Sequence, residues 1–365
     1  MIWALVDSVA GQLGQPPPAD VRIVLRGDAA TIGHGGGLHG RSRRTLVVPL
    51  AYASGLSCAE LRVVIARELG RPPAGGASDR VGRGMVGLER RRSVMLDAVR
   101  PCARAFFGLT RRLADRRAAA ADAVAAGLYG ADRLASTVRR TESLDVGFDW
   151  FWTVEVQPIL DRGWRPPVGA GFRVFVAAPL VAARLPDLHT DEPVGDLLSA
   201  ADVVEAGLIG LENGRPLAAR DWQEAAVAVV LTVWDGHVRR QRAARDGLRV
   251  SEVGRAVAVA VDTFADDQVR LQAELSAIGA ALALALTRDG WRVGKLPGRA
   301  PTLSKDGVDL RPHEEIARLW GGALTPAGWI DRCERLGIGD LRLAGRPIGA
   351  ARSLAPTARV GARAS

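Results

Sequence analysis

The chain has 365 residues, enough for one large or two moderate domains, and its 48% apolar and 24% charged residues are the mix of a globular protein that buries a core. A net charge of +9 first suggests a polyanionic partner, yet Lys295 and Lys305 are the only lysines among 49 basic residues. Such one-sided use of arginine, beside abundant alanine and glycine, reads as a coding bias and argues against nucleic acid as the partner.

In chain order, Met1 to Val9 lacks the basic segment and short apolar core of a signal peptide. An amphipathic helix is predicted from Trp3 to Leu13, stopped by Gly14 and followed by the stiff connector Pro16-Pro17-Pro18. Val21 to Leu25 reads as a short strand, Gly33 to Gly37 as a hairpin-like loop, and Thr45 to Leu50 as a stronger strand. Ser57-Cys58-Ala59-Glu60 then fits a capping box, in which the serine oxygen accepts a late amide and Glu60 reaches back to the cap. Leu61, Val64, Ile65 and Leu69 give that helix a buried face, and Gly70 before Arg71-Pro72-Pro73 ends it.

Further helices are expected at about Leu88 to Leu113, with a break open at Pro101, at Arg116 to Tyr129 and at Ala131 to Thr141. An aromatic segment, Trp150 to Ile159, follows, then helices at Asp196 to Ala206, Trp222 to Val238, Ser251 to Ala265 and Gln268 to Leu286. Trp291 to Val293 and Val308 to Leu310 suggest a β-hairpin, and Pro312 to Leu319 and Pro326 to Leu336 two closing helices. The boundaries expected are 1–206 for the first domain, 207–345 for a helical C-terminal region, and 346–365 for a disordered basic tail. The longest apolar run, Leu275 to Leu286, falls short of the roughly 20 residues of a membrane span. A soluble, cytoplasmic chain is therefore expected. Peripheral membrane contact through the basic segment Arg83 to Arg117 stays open against a packing helix.

Cys58, Cys102 and Cys333 are widely spaced, form no Cys-x-x-Cys pair and read as small apolar residues in a reducing compartment. His34 and His39 flank the glycine loop with no nearby carboxylate pair, and His189 lies in an acidic turn. His237 and His313 read as surface residues on or beside helices, so no histidine group has the spacing of a zinc site. A Gly-x-Ser-x-Gly elbow and a Gly-Lys-Ser/Thr phosphate loop are both missing.

The succession of strand, capped helix with Ala66-Arg67-Glu68-Leu69-Gly70-Arg71, basic helix, and Arg116-Arg117 through Asp122 resembles the HtpX-like zinc metallopeptidases, the family that includes the CAAX prenyl proteases. The likeness covers about residues 2 to 140, and Trp291 to Ile338 is similar to a tail of actinobacterial members. It implies an α+β, helix-dominated, zincin-like (gluzincin) core with a small N-terminal sheet. It also implies an Ala-His-Glu-Leu-Gly-His motif on positions 66 to 71, and a Glu-Phe-x-Ala-Asp motif on positions 118 to 122. In that motif two histidines one turn apart and a glutamate hold zinc, and the intervening glutamate deprotonates the bound water.

Here the ligand positions are Arg67, Arg71 and Ala118. A guanidinium has no lone pair to offer a metal. Glu68 stands in the position of the general base and Asp122 in that of the supporting acid. The expectation is a chain that has lost zinc and catalysis, acting on a protein partner or an active peptidase paralogue. A metallopeptidase with a displaced metal site and a basic nucleic-acid-binding protein are the competing readings. Burying Glu68 beside no cation would cost on the order of several kcal/mol. A network of Arg67 or Arg71 with Glu68 and Asp122 is therefore expected where zinc would lie, against simple drift with the arginines turned outward.

Overall fold

The structure, a computed structural model, describes residues 2–27, 29–34, 43–71, 100–188, 217–240 and 247–343. Helices dominate it, and three small sheets accompany them, so the class is α+β. The chain divides into two compact units, 1–219 and 220–365. The expected boundary at 206 and 207, the helix Asp196 to Ala206 and the tail 346–365 all lie outside the described residues.

In the first unit, α1 (Ile2–Gln12) buries Leu5, Val6, Val9 and Ala10, while Trp3, where the predicted helix begins, is exposed. Gly14 adopts a positive φ of 62° just past its end, the conformation glycine reaches without strain. Strands β1 (Asp20–Val24), β2 (Ala30–His34) and β3 (Arg43–Pro49) form one sheet in the order β1-β3-β2. β1 runs parallel to β3 with Val21 opposite Leu46, and β2 runs antiparallel with Ile32 opposite Thr45. Gly33 and His34 thus belong to a strand, not to the expected loop. The central strand is buried on both faces, by Leu46 and Val48 on one and Thr45 and Val47 on the other.

Pro49 ends β3 and caps α2 (Leu50–Gly55), a short helix buried along its whole length. Next comes α3 (Cys58–Gly70), with its capping box formed: Glu60 N donates to Ser57 Oγ at 3.2 Å and Ser57 N to Glu60 Oε2 at 2.8 Å. A single helix, α4 (Arg100–Tyr129), replaces the two expected on either side of Arg116. Its charged middle holds neither glycine nor a second proline to interrupt the backbone ladder.

Gly130, at φ 91°, turns the chain into α5 (Ala131–Phe151), ten residues longer than expected. The helical path continues through a π-helical turn, Trp152–Val156, into α6 (Gln157–Leu160). α7 (Val168–Val176) and α8 (Pro179–Arg184) follow. Phe148, Phe151, Phe172 and Phe175 pack ring to ring as the aromatic core, Phe148 meeting Phe172 edge-on at 5.0 Å. β4 (Trp164–Arg165) and β5 (Ala218–Ala219) make a minimal parallel pair.

The second unit is built round α11 (Gln268–Arg288), with α9 (Trp222–Arg240), α10 (Val253–Thr263) and α12 (Pro312–Trp320) packed on it. Eleven of the twelve α11 residues from Leu275 to Leu286 are buried, all but Ser276, because apolar surface all round a helix demands cover all round. By length and composition α11 is long and apolar enough to cross a membrane, and 67% of that stretch is buried. The expected hairpin is instead a three-stranded antiparallel sheet. β7 (Thr302–Lys305) lies between β6 (Arg292–Gly294) and β8 (Val308–Leu310) and pairs with both. α13 (Pro326–Leu336) closes the unit, burying Trp329, whose indole N–H donates to Val250 O at 2.8 Å.

Candidate functional site

α3 and α4 pack side by side. Arg62 acts electrostatically on Tyr129, Arg67 bonds Asp122, and a Cβ on Gly70 would stand 2.8 Å from Val124 Cγ1. That close approach is why glycine serves at position 70. Burial pushes the Tyr129 phenol up and Arg62 opposes it, while the phenol donates to Gln12 Oε1 at 2.7 Å.

Every residue singled out on the two motifs is described, and the seam brings Arg67 to Asp122. Arg67 Nε donates to Asp122 Oδ1 at 2.5 Å, and Arg67 Nη2 approaches Oδ2 at 3.5 Å. Arg71 Nη2 donates to Glu68 Oε1 at 3.2 Å, three residues apart on one helix. Neither arginine is simply turned outward: Arg67 and Arg71 are 28% and 40% exposed, each against a carboxylate. Glu68 is 4% exposed, so its charge needs the guanidinium far more than Asp122 does at 37%.

Ala118 is half-buried on α4, one turn before Asp122, on the stripe that includes Ala121, Asp122 and Ala125. The ligand positions of the resemblance are thus Arg67, which meets Asp122 one turn from Ala118, Arg71, which bonds Glu68 on its own helix, and Ala118 itself. Their side chains offer two cations and a methyl group, none of them a metal donor. Among the described residues no group of three or more His, Cys, Asp or Glu side chains is placed to hold a metal ion.

One residue next to this seam escapes a motif-based reading. Arg140 of α5 is buried and donates from Nη2 to Gly55 O at 2.8 Å, while its Nε lies 3.3 Å from Glu60 Oε1. Glu60 thus has two tasks, capping α3 and receiving Arg140, which together fix the α2–α3 corner and so the start of the motif helix. The available signal was position: Arg140 lies on the stripe Thr137, Arg140, Thr141 and Leu144 of its helix.

The remaining candidates fall elsewhere. His34 lies on β2 opposite Arg43, and His39 and His189 lie outside the described residues. His313 is not the surface residue expected. It packs against Gly279 of α11 and accepts a hydrogen bond at Nε2 from Trp234 Nε1 at 3.0 Å. Burial pushes its pKa below the ordinary histidine value, and His237 adds to the shift. Cys58 is half-buried at the start of α3, and Cys333 is fully buried in α13, its thiol pushed up to about 12 by burial. Cys102 and the basic segment before Arg100 carry no described side chains.

No family model, no curated protein and no solved structure matches the chain.

Proposed function

We propose that the chain is a catalytically inactive relative of the HtpX-like zinc metallopeptidases that acts by binding a protein or by associating with an active sister peptidase. One observation carries the reading: the positions to which the resemblance assigns zinc ligands hold Arg67, Arg71 and Ala118, and Arg67 crosses the α3–α4 seam to Asp122, one turn from Ala118. The layout supports a zincin-like core, with a capped helix bearing the first motif, a neighbouring helix bearing the second, and a small mixed sheet before them. The chemistry supports loss of catalysis. A carboxylate in the general-base position needs a metal-bound water to deprotonate, and Glu68 is instead buried beside Arg71.

With the metal ligands replaced, a retained fold would act through binding. The test pairs two measurements on the purified full chain after dialysis against zinc: metal content by elemental analysis, and degradation of unfolded casein with and without a chelator. No bound zinc and no cleavage are expected. Stoichiometric zinc with chelator-sensitive cleavage would overturn the reading in favour of a peptidase with a displaced metal site.

A further inference from the structure

Away from the seam, the second unit contains a polar contact inside an apolar helix junction. Trp234 is buried on α9, and its indole N–H has one acceptor among the described contacts, Nε2 of His313 on α12. An imidazole accepts at Nε2 only while that nitrogen is unprotonated, so the contact requires a neutral His313 with its proton on Nδ1. The ring fits because α11 has glycine beneath it: a Cβ at position 279 would stand 2.6 Å from Nδ1. His237 lies one turn after Trp234 on α9, on the same side of that helix.

We propose that the Trp234–His313 contact is an acid-sensitive latch that holds α12 on α9 and α11, and that protonation of His313 releases it. A second proton on the imidazole turns the acceptor into a donor facing a donor, and it places a cation in an apolar junction. Among the described residues on the neighbouring elements, the carboxylates with printed ion pairs are already engaged by other cations. From α9, His237 acts on His313 as a like charge, and Asp235 is engaged by Arg239. From α11, no ionisable residue occurs between Leu275 and Thr287. Arg255 and Asp262 of α10 are both exposed. On α12 itself, Glu314 pairs with Arg311, and Glu315 is held by Arg318 and by Arg332 of α13.

The direction with pH follows. The closed state holds the proton less tightly than an ordinary histidine does, so the opened state takes it up first as pH falls. The latch is therefore fully effective above the ordinary histidine value of about 6.5 and weakens below it, until His313 in the closed state also titrates.

Hydrogen exchange of the α9 and α12 peptides in the full chain, corrected for the intrinsic pH dependence of exchange, tests this from pH 7.5 to 5. The opening equilibrium in α12 is expected to rise by up to about tenfold per pH unit below 6.5, the limit for one proton. His313→Gln, whose amide oxygen can accept from the indole at every pH, is expected to remove that rise. His237→Gln, which leaves the Trp234 contact in place, is expected to reduce its total extent by relieving the like charge. If the wild type shows no rise, the proposal fails. It also fails if His237→Gln rises as far as the wild type, a comparison that still decides should His313→Gln not fold.

Discussion

Arg67 and Asp122, 55 residues apart in the chain, are joined across the α3–α4 seam through two guanidinium nitrogens. One turn onward along α3, Arg71 holds Glu68. Both carboxylates of the motif positions are thus matched by arginines standing where the resemblance places histidines. The two pairs differ in energy because they differ in exposure. Arg67 and Asp122 both keep contact with water, so their pair is worth no more than about 1 kcal/mol. Arg67→Ala and Asp122→Ala are each expected to cost less than about that amount in urea unfolding, with a positive coupling in the double-mutant cycle.

Removing Arg71 should matter more, although its own side chain is the more exposed of the two arginines. Glu68 is buried, and Arg71→Ala leaves a charged acceptor short of a donor, at about 1–3 kcal/mol. Arg71→Ala combined with Glu68→Leu is expected to recover most of the loss, because the charge needing compensation is then gone. Urea unfolding of the three proteins checks the ordering.

Arg140 is the most sensitive position expected in the first unit. Arg140→Met deprives Glu60 of its cation and Gly55 of a donor at a largely buried corner, and about 3–5 kcal/mol of destabilisation is expected. Thermal unfolding should register that loss, and a change within about 0.5 kcal/mol, ordinary for surface substitutions, would contradict the assigned role.

Cys333 provides a reporter for the second unit. With its thiol raised to about 12 and no exposed surface, it should resist alkylation at pH 8 in the native chain. In a Cys58→Ser/Cys102→Ser background, labelling should appear only with urea unfolding of α13. Rapid native labelling would show that the helix is not packed as described.

Particular residues explain what the sequence revealed and what it hid. The capping box at Ser57 and Glu60 is a local pattern with one physical meaning, and it forms as read. α13 is equally legible, with Pro326 in its first turn and Gly337 at φ 66° after its end. β7 went unseen because Thr302–Lys305 has a single large apolar residue, Leu303, and takes its order from strands on both sides. α2 was hidden for the opposite reason: a short run buried at every position has no period to read. At the seam, sequence supplied the residue types and the i,i+3 spacing of Glu68 and Arg71, but the reach of Arg67 to Asp122 depends on how α3 packs on α4. His313 looked like a surface residue because Glu314 and Arg311 beside it are charged, whereas its burial is set by Gly279, 34 residues earlier.

We propose that α3 and α4 retain the frame of a zinc site from which the ligands have been removed. Zinc uptake by the triple variant Arg67→His, Arg71→His and Ala118→Glu, measured by elemental analysis beside the wild type, tests it most directly. The restored ligand set should bind about one zinc per chain, with Asp122 placed to orient the new imidazole at position 67, while the wild type takes up none. A folded triple variant that binds no more zinc than the wild type would contradict it.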